Sequence, residues 1–448
     1  MDRTARRRIF GWMMFDWASQ PYNTLLLTFI FAPYFASGVL GDPVRAQSLW
    51  GLTIGMAGLV IALLAPVLGA LADSSGRRMP WIWLFSALYF VGAFGLWWAV
   101  PGMVHVWPVL VLFALGLIGM EFATIFTNAL LPGLGPRREI GRISGSGWAL
   151  GYVGGVLSLL LMLLLLAENE AGVTLLGRPP LFGLDPALRE GTRSVGPLVA
   201  IWYALFMIPF FLWVREARPA PAARQPLGEV VGAALSGLAR TLRTLPRRPS
   251  LMAYLASSMS YRDALNGMYT FGGIYAAGVL GWSVIDIGVF GILAAVSGAI
   301  FAWLGGRADR RFGPRPVILT CILLLVAASV SVVLVSRDSV FGIGLPAGSA
   351  LPDIVFYGLG AVIGAAGGAL QSASRTMLVH QADPDRMTEA FGLYALAGKA
   401  TSFLAPLMIG AVTALSGSQR IGVVPVIVLF LAGLALLRWV KPEGEQQK

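Results

Sequence analysis

Twelve apolar runs, each about long enough to cross a bilayer, follow one another along the chain with short polar breaks between them. They lie near residues 11–39, 49–72, 80–100, 107–131, 143–166, 196–214, 250–279, 284–306, 316–336, 352–376, 386–413 and 421–440. A membrane-spanning helix takes about 20 largely apolar residues. The runs are continuous and lack the alternation of a barrel strand. The expected fold is an all-α membrane protein with 12 transmembrane helices in two six-helix bundles, related by a pseudo-two-fold axis normal to the membrane. The bundles are expected at residues 1–214 and 250–448, with a linker at 215–249. In that linker Val231, Leu235, Leu238 and Leu242 recur at helical spacing beside Arg240 and Arg243, which predicts an amphipathic helix lying on the membrane surface.

The second half of the chain repeats the first. One loop reads Gly69-Ala-Leu-Ala-Asp73-Ser-Ser-Gly76-Arg77-Arg78, and another reads Gly305-Gly-Arg-Ala-Asp309-Arg310-Arg311-Phe-Gly313-Pro-Arg315. Likewise Asp16 precedes Tyr22 by six residues in the first run, and Asp263 precedes Tyr269 by six in the seventh. A repeat of this kind is the mark of a two-bundle carrier. The loops are expected to act as a cytoplasmic gate, with Asp73 and Asp309 facing arginines or helix N-termini in one state and releasing them in the other. Gly147, Gly151 and Gly155 are expected to serve close helix packing.

Composition agrees: 57 % of residues are hydrophobic and 12 % charged, where a water-soluble domain carries roughly a quarter charged. The net charge of +11 invites a nucleic-acid reading, but its distribution refuses it. Alternate loops hold 24 of the Lys and Arg residues, and the loops on the other side hold 6. Positive residues mark the cytoplasmic face, so both termini are expected there, in a multi-pass protein of the inner (plasma) membrane. Cys321 is the single cysteine, which rules out a disulfide or a Cys-ligated metal within one chain. The basic start is expected to lead into an uncleaved first helix, since that run contains Asp16, Gln20 and Pro21. A polar stretch at 167–195, on the outer side, is assigned no chemistry.

The two loop phrases resemble the signature of the major facilitator superfamily. Ser74 stands where a basic residue is usual, and the second copy has an extra residue between Asp309 and Gly313. Three further stretches resemble the vacuole-effluxer family of autophagy-related amino-acid exporters and its bacterial relatives. These are Phe15-Asp16-Trp17-Ala18-Ser-Gln-Pro-Tyr22, then Tyr261-Arg262-Asp263-Ala264, and a run holding Gln371 to Arg375, Phe391 to Tyr394 and Gly398 to Ser402. Ala264 and Ala405 stand where the family often has Gly. The resemblance spans nearly the whole chain and implies a solute exporter, with amino acids as the substrate class.

A charge at bilayer depth costs at least about 2.5–3.5 kcal/mol by insertion scales, so each such residue needs a cavity or a partner. Here they are Asp16, Glu121, Arg262, Asp263, Arg375 and Lys399, with Gln20, Asn128, Asn266 and Gln371 on shared helix faces. Helices 1, 4, 7 and 10 line the cavity in the superfamily this chain resembles, and each carries one of these charges. Asp263 reads as a proton carrier or a contact for a substrate amine, or else as half of an ion pair with Lys399 or Arg262. Asp16 and Glu121 handle protons or substrate, or pair with Arg375 as a gate; Arg375 itself gates or binds a carboxylate. Lys399 reads as a structural partner. Tyr22 and Tyr269 could stack on a substrate or simply pack.

Other functions fit less well. His380-Gln-Ala-Asp-Pro-Asp385 has the spacing of a membrane-embedded acyltransferase, but Asp383-Pro384 has the form of a helix start. No phosphate loop is present for an ATP-driven pump, and no ring of like charge for a channel. The expected function is secondary active transport by alternating access, as proton-coupled export of amino acids or similar zwitterions. A drug or siderophore-like compound exporter is the alternative. The expected partners are a small-molecule substrate and the lipid bilayer, with no nucleic acid, no cofactor beyond the proton gradient, and a monomeric state.

Overall fold

In lipid every backbone N–H and C=O must be satisfied within the segment that carries it, so apolar runs of this length become helices. The computed structural model describes residues 3–169, 171–216, 227–282 and 284–445. Its first six long helices are α1 (Arg3–Leu40), α2 (Pro43–Ser75), α3 (Met79–Trp98), α4 (Trp107–Asn128), α5 (Arg137–Leu166) and α6 (Glu190–Trp213). A surface helix, α7 (Leu227–Thr244), leads to α8 (Pro249–Tyr275), α9 (Val284–Phe312) and α10 (Pro314–Val333). A small hairpin, β1 (Ser339–Val340) with β2 (Ile343–Gly344), precedes α11 (Leu351–Gln381), α12 (Pro384–Ser416) and α13 (Ile421–Trp439). Leaving α7 aside, these helices match the twelve apolar runs. Among the described residues eleven are long and apolar enough to cross a membrane. The twelfth, α8, is as long, but Ser257, Ser258, Ser260, Arg262, Asp263 and Asn266 lower its hydropathy.

The chain forms two compact units: Met1–Leu130 with Leu150–Ala234, and Leu131–Ala149 with Leu235–Lys448. Helix α5 therefore begins in the second unit and ends in the first. In α7, Leu238 is buried while Arg240 and Arg243 are exposed. The side chains of Val231, Leu235 and Leu242, and all of 217–226, lie outside the described residues.

Within the first unit the glycines set the spacing. Gly92 and Gly119 bring α3 and α4 together backbone to backbone, with no room for a methyl at either. Gly151, Gly154 and Gly155 seat α5 on α1 in the same way, against Asp16, Trp17, Gln20 and Thr24. Trp17 stacks on Trp202 of α6 at 5.7 Å.

Helices α1, α5 and α12 depart from regular geometry, as does the end of α8, which runs on as a π turn over Ala276–Leu280; the departures in α1 and α12 have a proline behind them. Helix α1 loosens to π geometry over Tyr22–Phe29 and Phe35–Leu40, next to Pro21 and Pro33. Helix α12 is interrupted between Met387–Ala400 and Leu404–Ser416. Pro406 lacks an N–H and its ring crowds the carbonyl four residues back, at Ser402, within that break. Helix α5 ends in a π turn, Met162–Leu166.

Candidate functional site

Every intramembrane charge singled out in the sequence except Asp16 and Glu121 belongs to the second unit. Helix α8 is bolted there to its neighbours by hydroxyls. Tyr254 donates to the Ser374 carbonyl at 2.5 Å, the Tyr261 and Ser374 hydroxyls meet at 2.7 Å, and Ser257 donates to the Gly433 carbonyl at 2.7 Å. On that fixed helix Arg262 reaches to α12. Its Nη1 donates to the Tyr394 carbonyl at 3.0 Å, and its Cζ lies 4.1 Å from the centre of the Tyr394 ring. The guanidinium lies flat against Gly398, where a methyl would come within 2.6 Å of it.

Asp263 is different. It is 1 % exposed, and neither carboxylate oxygen has a hydrogen-bond partner. Its polar neighbours are Arg262 and Thr401, and Thr401 opens the break in α12. Adjacent residues on a helix point about 100° apart, so Arg262 can engage Tyr394 while Asp263 looks toward the break. Just before the break the Lys399 carbonyl accepts from the Ser402 hydroxyl at 3.1 Å. The Lys399 side chain is half-buried in the last turn of the first half-helix, the position where a cation suits the helix dipole. Farther along α8, Asn266 is exposed and Tyr269 is 45 % exposed.

The second loop phrase builds a separate cluster in the same unit. Gly313, with φ of 82°, makes the turn that only glycine adopts readily. Gly305 packs on Ala369 of α11, and Arg315 donates to the Arg438 carbonyl at 3.4 Å. Asp309, 4 % exposed, has its carboxylate against Gly141, in the first α-helical turn of α5, with Thr376 beside it. A helix N-terminus attracts an anion there. Arg310 pairs with Glu139 at 2.7 Å, which also holds Arg142 at 2.9 Å. One turn on, Gly145 and Gly306 meet backbone to backbone. Arg375 of α11 donates to the Ser144 hydroxyl at 2.9 Å and the Ser144 carbonyl at 2.8 Å, with Trp148 near it. Gln371 is half-buried one turn from Arg375.

In the first unit the matching loop has other partners. Asp73 pairs with Arg78 at 2.8 Å, and Gly76, with φ of 61°, turns the chain between them. Glu216 accepts from the backbone N–H groups of Arg78 and Met79 at 2.8 and 3.0 Å, so its carboxylate caps α3. Gly69 is buried and Arg77 exposed. Capping of this kind is worth about 0.5–2 kcal/mol. Glu216→Gln is therefore expected to lower the melting temperature of the purified protein by a few degrees, and an unchanged melting curve would show that the cap carries no stability.

Asp16, Gln20, Glu121 and Asn128 are each half-buried in the first unit. Trp12 of α1 donates to the Thr127 carbonyl of α4 at 2.8 Å and so fixes the face that Trp12 shares with Asp16. Tyr22 is fully buried, donates to the Phe113 carbonyl at 2.6 Å and lies on Gly116. Tyr269 lies in the same manner on Gly367 of α11. The repeat seen in the sequence thus recurs as two tyrosine–glycine joints, one sealed and one half open. Sequence reasoning missed Glu139, Ser144 and Glu216, whose partners lie in distant parts of the chain. His380 hydrogen-bonds the Pro442 carbonyl at 3.3 Å, and Asp383 caps the turn that begins α12; the His-x4-Asp spacing therefore serves helix ends.

Comparison with known proteins gives the family and the fold. Residues 36–447 match the family described as vacuole effluxer Atg22 like. The chain is 23 % identical over 440 residues to the uncharacterized MFS-type transporter YxiO of Bacillus subtilis, covering 97 % of this chain and 94 % of that one. It is 29 % identical over 325 residues to autophagy-related protein 22-2 of Emericella nidulans, covering 68 % of this chain and 52 % of the fungal protein. The chain thus spans about half the length of that fungal relative. Among solved structures, the human organic anion transporter MFSD10 (TETRAN) superposes with a TM-score of 0.70 at 16 % identity, covering 98 % of this chain and 100 % of the other. The major facilitator superfamily transporter FucP in its outward conformation gives 0.69 at 16 % identity, covering 97 % and 99 %. These likenesses give the fold: twelve spanning helices in two bundles.

Proposed function

Because the chain belongs to the Atg22-like vacuole effluxer family of the major facilitator superfamily, we propose that it exports amino acids or similar small zwitterions in exchange for protons. One observation carries this reading: Asp263, buried without a hydrogen bond, beside Arg262 and the broken helix α12. A carboxylate in such surroundings gains when it takes up a proton or a substrate ammonium, since burial strips the charged form of the water it would otherwise hold. The carbonyls at the end of the first α12 half-helix can share an ammonium, in the way broken helices serve solute and ion sites in other carriers. Arg262 lies beside the same place, a positive charge suited to a carboxylate. Asp263 lies about 14 residues into α8, or about 20 Å from its start, a depth that suits an alternating-access site.

The cluster of Asp309, Arg310, Glu139, Arg375 and Ser144 supplies the gate in this reading. It closes one side by bonds to the start of α5, and it opens when those bonds exchange for water. The excess of arginine in the loops on that side supports a cytoplasmic gate in a protein of the plasma membrane. Only a state that binds proton and solute differently can couple the two.

The test is a flux screen of a solute library in reconstituted vesicles, with and without an imposed pH gradient. Amino acids are expected to move against their gradient only when protons run the other way. A screen in which only apolar drugs or siderophore-like compounds move would replace this proposal with the other exporter class.

A further inference from the structure

The polar stretch between α5 and α6 would ordinarily be a loop in water, yet it folds into a compact cap with an apolar tip. Asn169 closes its start, accepting at its side chain from the N–H of Ala171 at 2.9 Å. Thr174 donates to the Arg178 carbonyl and Gly177 to the Thr174 carbonyl, both at 2.8 Å, which turns Leu175 and Leu176 outward as a tip. The base is held by buried charge. The Glu168 carboxylate accepts from the Thr192 hydroxyl at 2.7 Å and pairs with Arg189 at 3.1 Å. Arg193, 6 % exposed, donates to the Trp97 carbonyl at 2.7 Å and lies 4.8 Å from the centre of its ring. So firm a base makes the exposed apolar residues a fixed feature rather than a fluctuating one.

Those residues are large. Leu175 is 70 % exposed, Leu176 56 %, and Phe182 88 %. Phe182 holds φ at 65°, a conformation a bulky side chain seldom adopts.

The backbone sets the depth of the tip. The Leu175 N–H donates to the Leu163 carbonyl at 3.0 Å, and Leu163 lies in the final turn of α5, before the helix ends at Leu166. The tip therefore folds back beside the last turn of a spanning helix instead of standing above it. Leu160, one turn earlier on the face of Leu163, is 38 % exposed, so the apolar surface of α5 runs on into the tip. Arg178, three residues beyond Leu175, is exposed, and a long basic side chain at an interface can reach headgroup phosphate while its stem stays in the apolar layer.

We infer that residues 175–182 are an interfacial anchor: Leu175, Leu176 and Phe182 insert among the lipids of the leaflet in which α5 ends and α6 begins. The occupant is lipid because the surface is continuous with the lipid-facing side of a spanning helix and carries a cation at headgroup level. The inference does not depend on which solute the protein carries.

Spin labels test it directly. Cys321 is 5 % exposed and is the single native cysteine, so Cys321→Ala gives a clean background for Leu175→Cys and Phe182→Cys. Both positions are exposed, so labelling should leave the fold intact. In lipid nanodiscs each label is expected to be relaxed several-fold more by oxygen than by a water-soluble nickel chelate, with a label at His105, exposed in the loop between α3 and α4, reading the opposite. Equal access to the chelate at 175, 182 and 105 would overturn the anchor. Dipolar broadening at 175 or 182 would overturn it in favour of a second copy of the chain.

Discussion

Asp263→Asn is expected to abolish proton-driven export while exchange of unlabelled for labelled solute across the same vesicles continues. Asparagine keeps the shape of aspartate but can neither take up nor release a proton. The native carboxylate lies 1 % exposed with Arg262 and Thr401 as its polar neighbours, and taking a charge out of water costs several kcal/mol. Removing it should not harm the fold, and the variant should melt at or above the temperature of the parent. Exchange needs no net proton movement, so it should stay within about threefold of the parent, a difference under about 0.7 kcal/mol in barrier height. Proton-driven flux should fall at least about a hundredfold, or about 2.7 kcal/mol. Coupling that survives in Asp263→Asn would remove this residue from the mechanism. Loss of both activities would instead make it a solute contact without a proton role.

Gly145→Leu is expected to hold the gate open. Gly145 and Gly306 touch through their backbones, and a side chain at either position has nowhere to go. Overpacking such a contact costs about 1–3 kcal/mol, enough to disfavour the closed arrangement of Ser144 with Arg375 and Gly141 with Asp309. Ser372, 1 % exposed and accepting from the Ser144 hydroxyl at 2.9 Å, offers the reporter. In a Cys321→Ala background, Ser372→Cys should resist alkylation, and adding Gly145→Leu should make it react at least about tenfold faster, the factor a shift of about 1.4 kcal/mol gives. Transport should fall in parallel. A reporter that stays protected, in a variant that still transports normally, would show that this contact is static packing.

The helices were the legible part. Long apolar runs without strand alternation become helices in lipid, whereas the break in α12 lies inside the single run 386–413 and has its cause in Pro406 and its effect on Ser402. The loop phrases were also legible, as a repeat. Their partners were not. Asp73 and Asp309 occupy matching places in two similar phrases, yet Asp73 pairs with Arg78 of its own loop while Asp309 lies against Gly141 of α5. Glu216 looked like the start of a linker and caps α3 from 138 residues away. A period along the chain says which face a residue occupies but not which helix will meet that face. The choice between an ion pair and an isolated carboxylate at Asp263 was open for the same reason. Arg262 is its sequence neighbour, but the structure turns that guanidinium onto Tyr394. The stretch at 167–195 held back most, because Glu168, Arg189 and Thr192 act together only once the chain has curled back on itself.

The paired tyrosines carry a last consequence. A repeated residue keeps its place along the chain without keeping its surroundings. Here Tyr22 has become a riveted seam, closed by the Phe113 carbonyl and wholly out of reach, whereas Tyr269 remains ajar at 45 % exposure. Matching positions thus sit in unlike surroundings, one locked into the packing of its unit and the other presenting its ring at a surface.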